Sequence, residues 1–159
     1  MLITQSQLKS LLHYNPLTGI FTRLKGTRKL GWLNTRGYKS IGMFGREYKQ
    51  HRLAWLYVYG YMPIEIDHIN HNKEDNRIVN LRDVSHMENM RNSKRSKSNT
   101  SGVTGVNYDK ESNKWRVRIS IDGVRVNFGV FKNKEDAIMV RKEAERKYGY
   151  HKNHGELNE

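Results

Sequence analysis

The chain has 159 residues, 36% of them apolar, which allows one or two small domains rather than one large core. Its 29 lysines and arginines against 16 acidic residues give a formal charge of +13, which favours DNA, RNA or an anionic membrane surface as partner. No apolar run approaches the roughly 18–20 residues of a transmembrane helix, and the N-terminus lacks a signal-peptide pattern, so nucleic acid is the expected partner.

The chain contains no cysteine, which excludes disulfides and thiolate zinc sites. A reducing, cytoplasmic setting is the expectation. Any metal must be held by nitrogen or oxygen ligands, which favours a hard ion such as magnesium or manganese. No small-molecule cofactor is expected.

The sequence of the N-terminal half predicts small helices and β-hairpins. A helix is expected over Gln5 to Tyr14, followed by a turn at "NPLTG" and two short β-hairpins, the second around "FGRE" between Tyr38 and Gln50. The stretch "HRLAWLYVYG", His51 to Gly60, predicts a short buried helix that ends at its glycine.

The segment from Ile66 to Asn92 concentrates polar ligands, with three histidines, six asparagines and three aspartates. A short strand should deliver Asp67 and His68, and "NHNKEDNR" should form a loop. The stretch "IVNLRDV" predicts a returning strand, and "SHMENMRN" a helix with Ser85 and Glu88 as a capping box. Such a strand–loop–strand–helix unit folds back on itself and can bring Asp67, His68 and Asn89 together.

A basic segment follows, in which Arg91, Lys94, Arg95 and Lys97 alternate with serine and asparagine. This composition predicts an extended linker over residues 93–101. In a protein this basic we expect the segment to lie along DNA phosphates, and the alternative is a solvated surface loop.

The C-terminal part predicts a three-stranded sheet and one helix. Asp122-Gly123 signals a two-residue hairpin, and the strands alternate between apolar and polar positions. The helix "NKEDAIMVRKEAERKYG" should cover the apolar face. The open face carries three arginines and no facing acid, which favours DNA contact over an ordinary solvated face. Its predicted contact residues are Arg116, Arg118, Arg125 and Asn127.

The stretch "DHINHNKEDNRIVNLRDVSHMEN", preceded by "HRLAW", resembles the HNH nuclease motif in its ββα-metal form, found in phage and intron-encoded homing endonucleases. Asp67-His68 matches the first element of the motif, Asn80 the middle asparagine, and Asn89 the last position, which is often histidine. The C-terminal "SGVTGVNYDKESNKWRVRISIDGVRVNFGVF" resembles the Apetala-two (ethylene-response-factor) DNA-binding domain. The resemblance implies cleavage to 5′-phosphate and 3′-hydroxyl ends.

The residues themselves suit phosphodiester hydrolysis. His68 is suited to take a proton from water, and the amide carbonyl of Asn80 to hold its other ring nitrogen. Asp67 and Asn89 offer oxygen ligands to one divalent ion, Mg²⁺ or Mn²⁺. An alternative is a zinc site that joins the His68–His71 pair to His51 or His86. His51 is otherwise expected to be a structural, hydrogen-bonding histidine.

The sequence thus predicts an α+β protein: an HNH domain over residues 1–92 with its ββα-metal core at about 51–92, the linker at 93–101, and an Apetala-two-like domain over 102–159. The expected function is site-directed cleavage of double-stranded DNA, as by a phage homing endonuclease. The alternative is a non-catalytic DNA-binding regulator. Target sequence, oligomeric state, and nicking versus double-strand cleavage stay open.

Overall fold

A computed structural model describes residues 3–156, so the predicted domain limits at residues 1 and 159 lie outside the described part. It is a mixed α+β structure, which confirms the predicted class. Contacts divide the chain into two compact units, Met1–Ser85 and His86–Glu159. Within the described residues, every helix is too short or too polar to serve as a transmembrane span.

The first unit contains two α-helices, seven strands and one 3₁₀ turn. In chain order these are α1 (Gln5–Leu11), β1 (Leu12–Asn15), β2 (Ile20–Arg23), β3 (Trp32–Leu33), β4 (Lys39–Met43), β5 (Arg46–Lys49), α2 (Gln50–Tyr59), β6 (Glu65–His68), the 3₁₀ turn (Ile78–Asn80) and β7 (Leu81–Val84). The strands form three antiparallel sheets, β1-β2, β3-β4-β5 and β6-β7.

The first helix is shorter than predicted. A capping box between Thr4 and Gln7 starts α1, but the helix ends at Leu11 and not at Tyr14. Leu12 and Tyr14 are buried while His13 is exposed, and this alternation places them on strand β1. The prediction failed because the leucine spacing fits a helix. Leu12 to Tyr14 instead form a strand because they pair with β2.

The core of the first unit lies between α1, α2 and the small sheets. Helix α2 matches the predicted buried helix, and Gly60 ends it in the left-handed conformation, with φ of 80°. The second predicted hairpin is present as β4 and β5. The fully buried apolar side chains at the centre of this core are Leu8, Phe21, Leu53 and Ala54.

The second unit contains α3 (His86–Arg91), β8 (Val106–Asp109), β9 (Lys114–Ile121), β10 (Val124–Phe131) and α4 (Lys134–Lys147). The strands form an antiparallel sheet in the order β10-β9-β8. Val106 and Val117 pack with Ala137 of α4 in a small core. The Asp122-Gly123 hairpin has positive φ at both residues, 49° and 81°, as a type I′ turn requires.

Strand β10 departs from the predicted alternation. The pairing register shifts between Asn127 and Gly129, which marks a β-bulge. Beyond the bulge Val130 pairs with Arg116 and is exposed, and Phe131 packs against the core in its place. Strict alternation, as predicted for this strand, would place Val130 on the inward face, but one extra residue reverses the faces of the strand.

The segment predicted as a linker belongs to the second unit and contains turns. The Asn99 amide donates to the Ser96 carbonyl (3.0 Å), and the Asn99 side-chain oxygen accepts from the Gly102 amide (2.8 Å). Side chain–backbone bonds of this kind are typical of polar turns.

Candidate active site

The β6–β7 hairpin positions the first two residues of the predicted site. His68 pairs with Leu81 and Asp67 with Arg82 in an antiparallel register. Both site residues are buried, with 8% of Asp67 and 5% of His68 exposed. A buried carboxylate or imidazole is costly unless it is hydrogen-bonded, so the partners of these two side chains define the chemistry of the site.

The loop that joins β6 to β7 is held by Asn80. The Asn80 side-chain oxygen accepts from the Asn70 backbone amide (3.0 Å), and its amide group donates to the Asp75 carbonyl (2.8 Å). The Asn80 carbonyl accepts from the Ile69 amide (2.9 Å). Asn80 thus binds the polar loop at its first residues, Ile69 and Asn70, and again at Asp75.

The ring of His68 contacts a different asparagine. His68 Nε2 lies 3.2 Å from the side-chain oxygen of Asn76, and the Asn76 carbonyl accepts from the Tyr14 hydroxyl (2.7 Å). Asn80 therefore does not bind His68 directly, in contrast to the prediction, because its side-chain oxygen and its side-chain NH₂ group both bind the loop backbone. Asn80 holds the loop, and the loop presents Asn76 to the imidazole.

This contact selects the tautomer of His68. With the Asn76 side-chain oxygen facing the ring as an acceptor, the contact assigns the proton to Nε2 and leaves Nδ1 as the basic nitrogen. Burial lowers the pKa of His68 below its ordinary value, against a smaller opposing effect of the Asn76 bond and of Asp67. The ring is therefore neutral at pH 7, the state that a general base requires.

A second histidine packs against the first. The rings of His51 and His68 meet edge to face with centroids 5.0 Å apart, and Tyr38 lies 5.0 Å from His51. Burial lowers the pKa of His51 to about 2, so this ring is neutral as well. Among residues 3–156, no hydrogen-bond partner contacts the buried Nδ1 of His51, which differs from the hydrogen-bonding role expected for this residue.

Asp67 forms an ion pair across the hairpin. Its Oδ2 accepts from Nε and Nη2 of Arg82, at 2.9 and 2.7 Å. The two residues are direct cross-strand partners, so the register of β6 and β7 creates the pair. Arg82 fixes the carboxylate and balances its charge.

Asp67 is the predicted metal ligand whose side chain suits a divalent ion. A carboxylate oxygen is the ligand type that magnesium and manganese prefer, so the chemistry of the donor fits. Asn89, the second predicted ligand, lies on α3 in the other unit, and its part in a shared site stays a prediction. Within residues 3–156, no group of three or more His, Asp or Glu side chains is placed to hold a metal, and this includes the alternative histidine set.

The predicted DNA-contact residues around the basic segment differ in their contacts. Arg91 forms an ion pair with Asp122 (3.2 Å), and Arg95 donates to the Gly102 carbonyl. Lys94 and Lys97 are exposed. These two lysines are the side chains of the segment best placed to reach a polyanion.

The predicted arginine face of the C-terminal sheet has an acidic neighbour. Asp109 on β8 forms an ion pair with Arg116, so the expectation of a face without an acid was wrong. The Asn127 oxygen accepts from the Gly129 amide at the bulge (3.2 Å). Arg118 and Arg125 line a cavity of about 510 Å³ that is also lined by Asn107 of β8 and Arg141 of α4.

Comparison with protein families adds one finding to this geometry. Residues 48–91 match the HNH endonuclease family. The match covers α2, the β6–β7 hairpin and α3, so Asp67, His68 and Asn80 all lie inside the segment that is similar to HNH endonucleases, which supports nuclease activity on DNA. No curated protein and no solved structure shows significant similarity to the chain.

Three residues of the HNH segment contact the site and were not predicted there. The sequence predicted a loop around Asn76 and a strand around Arg82, but no contact of either residue with Asp67 or His68. His51 was expected to be structural, yet it packs on the catalytic candidate. The Arg82 contact requires the register of the two predicted strands, which the sequence pattern does not give, and the other two contacts depend on how the loop and α2 pack.

Proposed function

We propose that the protein is a metal-dependent DNA endonuclease in which His68 is the general base. The observation that carries the proposal is the buried, neutral His68, oriented by Asn76 and adjacent to Asp67, within the segment that matches the HNH family. The basic charge of +13 supports double-stranded DNA as the substrate.

In this mechanism Nδ1 of His68 takes a proton from the attacking water. The new oxygen–phosphorus bond forms as the bond to the 3′ oxygen breaks, which leaves a 5′-phosphate and a 3′-hydroxyl. Asn76 holds the ring so that the basic nitrogen faces the water, and Asn80 holds the loop that carries Asn76. Because His68 starts neutral, it is ready to accept the proton at pH 7.

Asp67 and Asn89 would hold the metal ion. A divalent cation, magnesium or manganese, supplies positive charge to the scissile phosphate and to the departing oxygen. Arg82 keeps the Asp67 carboxylate oriented through two hydrogen bonds.

The basic residues of the second unit would bind the DNA. Lys94 and Lys97 follow the backbone, and the C-terminal Apetala-two-like sheet reads sequence through Arg118 and Arg125. We propose a homing role in a phage-infected cell, in the host cytoplasm. The proposed DNA contacts also include Arg91, Arg95, Arg116 and Asn127.

Genomic DNA digestion tests the function directly. The purified chain is incubated with the DNA in magnesium, in manganese and in EDTA, and the ends are sequenced. We expect recurrent 5′-phosphate ends in either metal and none in EDTA. DNA that is bound but intact in both metals would favour the regulator instead.

A further inference from the structure

At the tip of the β4–β5 hairpin, Phe44 adopts a backbone conformation that is unfavourable for a bulky residue. The last strand pair is Met43 with Arg46, so Phe44 and Gly45 form a two-residue turn. Both have positive φ, 53° and 70°. A turn with two left-handed residues is typical of Asn-Gly or Gly-Gly, and a bulky aromatic residue there is an outlier.

The fold does not offset this strain by burying the Phe44 ring. The residue is 67% exposed, although apolar rings gain most from burial. Strained conformations that persist in a folded protein cluster at functional sites. The tip therefore carries an exposed aromatic side chain at the end of the β4–β5 hairpin, beyond its pairing with β3.

The segment of the chain that contains this hairpin is strongly basic. Residues 23–49 include β3, β4 and β5 and contain eight lysines and arginines and one acid, a net charge of +7, which is more than half of the formal charge of the chain. The acid, Glu47, accepts from Ser40 (2.6 Å) and Asn34 (2.9 Å) within the sheet. The basic side chains are Arg23, Lys25, Arg28, Lys29, Arg36, Lys39, Arg46 and Lys49.

We propose that Phe44 is a wedge that inserts between two base pairs of double-stranded DNA, with the β4–β5 hairpin lying in a groove. The inference rests on the proposed function only for the identity of the partner as DNA. Apolar side chains inserted between base steps from the minor groove unstack and kink the duplex, and β-ribbon proteins lay their strands in either groove of DNA. Arg46 lies next to the turn, where it can neutralise a flanking phosphate.

An apolar groove beside the tip suggests another occupant, a protein surface. The groove has a volume of about 390 Å³ and is lined in part by Trp32, Met43 and Phe44. The +7 charge of the segment favours DNA, because a cluster of like charges opposes self-association and attracts phosphates. Self-association through the groove is therefore an outcome of the test.

A topological assay tests the wedge without DNA cleavage. A closed circular plasmid is saturated with the protein in EDTA, relaxed by a type IB topoisomerase, which needs no metal, and stripped of protein before its linking number is measured. Wild-type protein should lower the linking number in proportion to the protein bound. Phe44→Asn keeps a residue that tolerates the left-handed turn and removes the ring, and it should lose at least about three quarters of the unwinding at equal occupancy.

Two further variants make the assay decisive. Phe44→Leu keeps an apolar wedge and should retain most of the unwinding, whereas Met139→Asn, which removes an exposed apolar side chain from α4, should unwind like wild type. Equal unwinding by wild type and Phe44→Asn, or none by saturating wild type, would overturn the wedge. So would a dimeric wild type that Phe44→Asn converts to a monomer in sedimentation. Cleavage in magnesium is scored separately, so the wedge and the nuclease can fail independently.

Discussion

His68 shows how a single buried side chain can be prepared for proton transfer. Its ring is enclosed by His51 and by Asn76, and burial is the larger effect on its pKa. Asn76 determines which nitrogen is basic, because its oxygen can only accept. The amide at residue 76 therefore orients the base, while burial keeps it neutral.

Replacement of Asn76 tests this orientation. In Asn76→Ala the ring loses the acceptor for Nε2, and we expect the kcat for DNA cleavage to fall about 10–100-fold with little change in DNA affinity. The matched control is Asn72→Ala in the same loop, where the side chain binds the Glu74 amide and makes no contact with His68. Loss of activity in both variants to the same degree would show a loop effect instead.

His154 makes stability depend on pH. Burial lowers its pKa from 6.5 to about 4, so the unfolded chain binds a proton at this residue more readily than the folded chain. The contribution of a neutral His154 is fully present above pH 6.5 and is lost as the pH falls to about 4, at a cost of roughly 2 kcal/mol.

The measurement is the free energy of urea unfolding at pH 7.5 and at pH 4.5. His154→Gln keeps an acceptor for Arg141 and does not titrate, so its loss of stability between the two pH values should be smaller than that of wild type. Equal losses in the two proteins would contradict the assignment.

At the scale of elements, the sequence predicted correctly the helix and the strands that end at residues with positive φ. Gly60 ends α2 and Asp122-Gly123 joins β9 to β10, and both were read correctly because few residues adopt these conformations. Strand β1 and the bulge in β10 were missed, since pairing partners decide both. Local pattern thus predicted where chains turn better than which strands pair.

The β4–β5 turn gives a stability prediction at this scale. Phe44→Asn should raise the free energy of unfolding by about 1 kcal/mol, because asparagine adopts positive φ more easily and the lost ring is largely exposed. Thermal and urea unfolding measure the change. Phe44→Ala relieves no backbone strain and serves as the control, and a gain in Phe44→Ala equal to that in Phe44→Asn would refute the strain.

For the whole molecule, charge was the most informative sequence property, but it did not locate the contacts. The sequence indicated a DNA partner and the positions of Asp67 and His68, and the HNH match supports a nuclease. It did not indicate that Arg82 binds Asp67, or that Arg141, 2% exposed, lies buried beside Glu145 (2.9 Å). These contacts depend on register and packing, which composition does not encode.

The basic segment gives a whole-molecule prediction. Lys94→Gln with Lys97→Gln should weaken binding to all duplexes alike and lower the slope of log K against log salt by about 2, since each phosphate contact contributes about 0.9. Anisotropy titrations at several salt concentrations measure the slope. Replacement of two other exposed lysines, Lys110 and Lys152, is the control, and an equal effect there would assign the slope to net charge alone.

The most direct test of the account compares two histidine variants in single-turnover DNA cleavage with magnesium. His68→Ala should cleave at least about 100-fold more slowly than wild type, while its affinity for DNA in EDTA stays within about threefold. His13→Ala, at an exposed position on β1, should cleave like wild type. Undiminished cleavage by a folded His68→Ala protein would show that the base lies elsewhere.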